Sequence, residues 1–163
     1  MKSLFLDMDG CLTEYKDVPV KALYEQGYFA ELKPIINVVE GLRIFCEVHP
    51  DVKISILSCI LIDRPNAVEE KVMWLKKHCP FLMDSMYFIP CGTDKSLIAC
   101  DEDNYLLDDY SKNVLEFENA SANHHGIKLL NGVNGKGVKW KGKTINSALS
   151  PYEFAKSLYE AIA

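Results

Sequence analysis

In the stretch LFLDMDGCLTEY, residues 4–15, an apolar run drops two aspartates one position apart, with a glycine directly behind them. A strand core has no use for carboxylates, so Asp7 and Asp9 belong where a strand runs out into a loop. Extended backbone throws residues i and i+2 to one side, and Gly10 lets the chain turn at once. Two carboxylates crowded there repel, unless a cation lies between them or one keeps a proton. Either solution does chemistry. Oxygen ligands of this kind suit Mg²⁺, which completes its shell with water and substrate phosphate. The plainer alternative is a turn with exposed acids. A calcium loop fails on spacing, because Gly10 comes too early and Cys11 and Leu12 fill the next slots.

Three later features answer the pair. ISILSC ends an apolar strand with Ser58, a hydroxyl able to donate to a phosphoryl oxygen. GTDKS puts Lys95, a compact positive charge suited to phosphate, in a loop after the next strand. YLLDDYSKN ends another strand with Asp108 and Asp109, two further oxygen ligands. Singly, Ser58 reads as a turn residue, Lys95 as a solvated lysine and the acidic pair as a helix cap. Together, in chain order on one sheet edge, they make a site with a metal, a nucleophile and a phosphate clamp.

Such an edge requires strands and helices in alternation. Strand-type runs fall at Ser3–Leu6, Val52–Leu57, Met86–Ile89, Tyr105–Leu107 and Gly126–Leu130, most of them apolar on both faces, as covered parallel strands are. Ile35, Val38, Val39, Leu42 and Phe45 recur at helical spacing, with Pro34 in the first turn. Pro65 opens a second helix with Val68, Val72 and Leu75 on one face. Ser111 caps a third carrying Val114 and Leu115. Ser150-Pro151-Tyr152-Glu153 is a capping box before Ala155, Leu158 and Ile162. The alternation predicts an α/β fold: an open parallel sheet of about five strands with helices on both faces, its site beyond the carboxyl ends of the strands. Residues 1–163 read as one domain, with 14–33 inserted after the first strand and 131–147 as a Gly/Asn/Lys-rich loop or hairpin.

At 163 residues the chain can bury most of its apolar surface, and its 48% hydrophobic and 25% charged residues are ordinary for a globular domain. The net charge of −5 argues against nucleic-acid polymers and anionic membranes, which need basic footprints. Six cysteines without a C-x-x-C pair, no secretory leader and no bilayer-length apolar run predict a reduced, cytoplasmic protein. His124-His125 lacks partners at metal-ligand spacing and reads as a loop. Trp74 reads as packing, and Trp140, among lysines, as part of a solvated hairpin.

D-x-D-G, a strand-end Ser, a Lys and a strand-end D-D resemble the four motifs of the haloacid-dehalogenase (HAD) superfamily of phosphohydrolases. Within it, GYFAELKPI (27–35), EEKVMWLKKH (69–78) and TDKSLIACDEDNYLLDDYSKN (93–113) resemble the 5′(3′)-deoxyribonucleotidases. The resemblance implies that Asp7 is the nucleophile and forms an aspartyl-phosphate, while Asp9 protonates the leaving oxygen and then activates water. It implies Mg²⁺ held by Asp7, the Asp9 carbonyl and Asp108, with Asp109 in support. Phosphate would meet Ser58, Lys95 and backbone N–H groups around Asp9, Gly10 and Cys59. Residues 14–33 become a small helical cap whose Tyr28 and Phe29 either stack on a nucleobase or glue the insertion down. Cys11 stands where the family has a small aliphatic residue.

The expectation is thus a Mg²⁺-dependent phosphatase of nucleoside monophosphates, with no membrane partner and with a homodimer allowed but not required. The alternatives are a HAD phosphatase for another small ester, such as a sugar phosphate, and a phospho-acceptor signalling domain. The latter fits poorly, because receivers put the acidic pair first and a single aspartate later.

Overall fold

The computed structural model of the chain describes residues 1–99, 101–135 and 139–163. Its strands are β1 (Lys2–Leu6), β2 (Lys53–Ile60), β3 (Met86–Pro90), β4 (Asp103–Asp108), β5 (His124–Leu130) and β6 (Lys143–Asn146). Its helices are α1 (Ile36–Val48), α2 (Ala67–His78), α3 (Ser111–Ala120) and α4 (Pro151–Ile162). The strands form one six-stranded parallel sheet in the order β3-β2-β1-β4-β5-β6. The chain builds outward from β1 to β2 and β3, then crosses back to β4. The carboxyl ends of β1 and β4 therefore flank the point where strand order reverses, where open α/β sheets place ligands.

Side-chain alternation sorts the two faces. Leu4 and Leu6 of β1 join Val38, Leu42 and Phe45 of α1, Trp74 and Leu75 of α2, and Phe154 and Leu158 of α4 in the larger core. Phe5 points the other way, to a smaller core with Leu57, Leu106 and Phe117 of α3. Full burial of each such side chain contributes about 1.5–3 kcal/mol, so the two faces fix the register of β1 firmly. Helices α1 and α4 approach closely at Gly41, where an added Cβ would come within 2.7 Å of Phe154. The capping box of α4 is present: Glu153 N–H donates to Ser150 Oγ, and Ser150 N–H to Glu153 Oε2.

Several expectations need correction. The parallel sheet matches the expected α/β fold at six strands, but the segment 131–147 is not simply a loop or hairpin: Lys143–Asn146 pairs in parallel with β5; residues 136–138 of that segment lie outside the described residues, as does Cys100. His124 and His125 begin β5, their rings lying against Phe117 and Tyr105. Pro34 precedes α1 and bridges to Thr13 rather than sitting in the first helical turn. Ser111 is the first residue of α3, whose cap position is Tyr110, and Leu115 is exposed. The buried face of α2 runs through Ala67, Glu70, Lys71, Trp74 and Leu75, leaving Val68 and Val72 only half-buried. The described cysteines are free thiols. Among the described residues, no helix is long and apolar enough to cross a membrane.

Candidate active site

Gly10, at φ +75°, turns the chain out of β1, and the N–H groups of Cys11, Leu12 and Thr13 all donate to the Met8 carbonyl. A Cβ on Gly10 would lie 2.5 Å from Asp109 Oδ2, so only glycine fits. The segment 14–33 leaves and returns beside itself: Glu14 N–H donates to the Lys33 carbonyl and Ile35 N–H to that of Leu12. Between those ties it contains one 3₁₀ turn, Val20–Tyr24, and no α-helix.

Asp7 lies just past β1 and is buried; Asp108 ends β4 and is fully buried; Asp109 follows it. One oxygen from each of the three falls within 4.8 Å of the others. Lys95, on a 3₁₀ turn after β3, donates from Nζ to Asp7 Oδ1 and to Asp108 Oδ2, both at 2.6 Å. Asp108 also accepts from Tyr110 N–H and Asn113 Nδ2, each at 2.8 Å. Burial, then Asp108, pushes the Asp7 carboxyl up to about 7 against the pull of Lys95. Burial, then Asp7 and Asp108, pushes Asp109 up to about 8. Burial disfavours the Lys95 ammonium, yet Asp7 and Asp108 outweigh it and raise its pKa. An all-oxygen cluster strained by its own negative charge is what a hard cation relieves, so the residues fit Mg²⁺.

Asp9 turns away from that cluster. Its Oδ2 accepts from Lys71 Nζ at 2.5 Å, while its Oδ1 is shielded from solvent and has no hydrogen-bond partner among the described residues. Lys71 also donates to Ser58 Oγ at 2.8 Å and to the Cys59 carbonyl at 2.9 Å. Ser58 is therefore brought to the site, joined to Asp9 through the shared Lys71 ammonium. A third buried lysine, Lys128, stands opposite Asp108 in the backbone register of β4 and β5 and donates to Ser111 Oγ. Asn131 donates to Asp109 Oδ2 at 3.0 Å and to the Gly10 carbonyl at 2.9 Å, and Asn134 to the Asp109 carbonyl at 2.7 Å. Sequence reasoning missed Lys71, Lys128, Asn131 and Asn134. The lysines belong to an amphipathic helix and a strand where a charge reads as solvent-facing.

A cavity of about 280 Å³ opens over Asp9 and Gly10, with Tyr15, Leu23, Tyr28 and Phe29 among its lining residues. Tyr28 is half-buried. Phe29 is almost wholly buried, its ring 4.8 Å from Lys71 Nζ and 4.9 Å from the Arg64 guanidinium, with Tyr28 set edge-on at 5.1 Å. The segment is fastened to α2. Glu70 accepts from the N–H groups of Gly27 and Phe29 and from Arg64, and Trp74 Nε1 donates to the Leu32 carbonyl at 2.6 Å.

The family model described as "5' nucleotidase, deoxy (Pyrimidine), cytosolic type C protein" matches residues 12–134, three quarters of the chain. The chain belongs to this family. That family consists of HAD-superfamily phosphohydrolases of the phosphoric monoester hydrolase class. The match takes in Ser58, Lys71, Lys95, Asp108 and Asp109 and begins at Leu12, so Asp7 and Asp9 stand on their geometry. No curated protein matches the sequence. Among solved structures, DsGPDH of Dunaliella salina is similar at a TM-score of 0.49 and 15% identity, over 78% of this chain. The chain spans only 23% of that protein's length, and a likeness this slight carries nothing about function.

Proposed function

We propose that this 5′-nucleotidase family member is a Mg²⁺-dependent cytosolic phosphatase of nucleoside monophosphates that works through an aspartyl-phosphate on Asp7. One observation carries the reading: Asp7 sits at the strand-order reversal with Lys95 bridging it to Asp108, while the second aspartate, Asp9, is held apart at the cavity floor. A carboxylate approaches a phosphate dianion only where cations cancel their repulsion, and Lys95 supplies one such charge at the nucleophile. Mg²⁺, held by Asp7, Asp108, Asp109 and the Asp9 carbonyl, would supply the rest by offsetting charge on the phosphoryl oxygens.

The chain's own residues divide the work. An Asp7 oxygen attacks phosphorus, the bond from phosphorus to the ester oxygen breaks, and that oxygen leaves with its electron pair and takes the proton of Asp9. Water then gives a proton back to Asp9 and attacks phosphorus, releasing inorganic phosphate and the Asp7 carboxylate. Ser58, Lys95 and the N–H groups near Asp9, Gly10 and Cys59 receive the phosphoryl oxygens.

Segment 14–33 acts as the cap of a single domain. Tyr28, half-buried on the cavity wall, supplies the stacking face, and Phe29 anchors it from below. The family's description names pyrimidine deoxynucleotides; a single-ring base suits a cavity of about 280 Å³, near the small end for ligand sites. That size also admits a compact sugar phosphate. Released phosphate, measured with Mg²⁺ across nucleoside 5′- and 3′-monophosphates and sugar phosphates, separates the two. Preference for pyrimidine nucleotides supports the reading, and preference for sugar phosphates overturns its substrate.

A further inference from the structure

Lys71 has no part in the scheme above, yet it is the most completely enclosed ammonium at the site, at 0% exposure. An ammonium has three donors and no acceptor, and all three of these are spent: on Asp9 Oδ2, Ser58 Oγ and the Cys59 carbonyl. One oxygen of Asp9 is thus pinned, and the other, Oδ1, is shielded and without a partner among the described residues. Ser58 accepts from Lys71, so its own O–H remains free to donate.

The lysine is itself held. Its neighbour Glu70 ties α2 to the N–H groups of Gly27 and Phe29, Trp74 one turn on ties it to Leu32, and the Phe29 ring lies over Nζ. A carboxylate on a loop edge would otherwise rotate among several orientations. Here the arm that sets it is clamped by the same helix that fastens the segment above the cavity.

We propose that Lys71 is the positioning residue for Asp9 and Ser58: by pinning Asp9 Oδ2 it fixes the direction in which the half-exposed carboxyl faces the leaving oxygen in the first half-reaction and the attacking water in the second. The assignment rests on the reading of Asp9 as general acid and base. Misplacing a catalytic group by about an ångström costs on the order of 10²-fold, so Lys71→Met should lower kcat for a nucleoside monophosphate by ~10²-fold.

The test is a rapid-quench comparison of wild type, Lys71→Met and Lys71→Gln on a nucleoside monophosphate and on p-nitrophenyl phosphate. The aryl leaving group needs no proton, so its release should stay fast while hydrolysis of the phosphoenzyme slows. The variants should therefore show a burst approaching one equivalent of p-nitrophenolate that the wild type lacks. Equal losses on both substrates without a burst, or unchanged kinetics, overturn the assignment. So does loss of cooperative unfolding in both variants, which would make Lys71 a brace for the fold. Asp7→Asn is measured beside them. If it still turns over, the covalent reading itself has failed. If it is dead and the Lys71 variants show no burst, only the role of Lys71 has failed.

Discussion

Lys95 donates to Asp7 Oδ1 at 2.6 Å, and the same ammonium is shared with Asp108, so one positive charge serves two buried carboxylates while Asp109 stands beside them without it. The imbalance appears in the acids: Asp7 is raised from 3.8 to about 7 and Asp109 from 3.8 to about 8, burial being the first cause in each. A carboxyl raised on folding contributes stability that is fully present below its unfolded pKa and is lost as pH rises through its folded one. The metal-free protein should therefore lose thermal stability from about pH 5 to above pH 8, and Mg²⁺ should raise its Tm more at the alkaline end, where protons no longer compete. Thermal unfolding with and without Mg²⁺ checks this. An equal Mg²⁺ shift at both ends would mean that these carboxylates do not hold the ion.

Turnover should vanish with EDTA, return with Mg²⁺ and be inhibited by Ca²⁺. Calcium's larger, looser shell does not hold the phosphoryl group in line with its attacker as an octahedral ion does. Full activity after exhaustive metal removal would contradict the role given to the acidic cluster.

Glu70 should be a stability residue first. Burial alone would raise its pKa, but the Gly27 N–H, Arg64 and the Phe29 N–H hold it below the usual value. Glu70→Ala takes the carboxylate from the enclosed Arg64 guanidinium, leaving it only the Glu25 carbonyl, and orphans two backbone donors. Breaking a buried pair from one side costs about 3–5 kcal/mol, which denaturant unfolding would read directly. A loss below about 1 kcal/mol, the worth of an exposed pair, would show that the clamp is not needed.

Tyr28 and Phe29 should separate by substrate. Base–aromatic stacking is worth roughly 1–3 kcal/mol, so Tyr28→Ala should lower kcat/KM for a nucleotide by ~5- to 150-fold and leave p-nitrophenyl phosphate nearly unchanged. Phe29→Ala should instead weaken both substrates together, because its ring packs on Lys71 and Arg64. The reverse pattern would assign the stacking face to Phe29.

The placement of Asp7, Asp9 and Asp108 at the ends of β1 and β4 was legible because carboxylates at the ends of apolar runs violate the strand pattern. Helix α4 was legible because its capping box and apolar spacing agree. The buried face of α2 was not. Glu70 and Lys71 sit in an amphipathic run where charge normally faces water, and only Phe29, Arg64, Asp9 and Ser58, brought in from elsewhere, make burial affordable. Strand β6 escaped for a different reason: Lys143–Asn146 offers one buried residue, Ile145, and its pairing with β5 is a long-range event with no local signature. Asn131 and Asn134 read as turn residues, and nothing local distinguishes an asparagine that ends a loop from one that holds Asp109.

The central claim is that Asp7 carries the phosphoryl group. Acid quench of the Asp9→Asn variant during turnover of a labelled aryl phosphate, followed by peptide mapping, tests it most directly, since on this account that variant should form the intermediate but hydrolyse it poorly. The account predicts a hydroxylamine-sensitive phosphoryl group on Asp7, absent from Asp7→Asn, whose kcat should fall by at least ~10³-fold. A label on another residue, or Asp7→Asn activity within about tenfold of wild type, would contradict it.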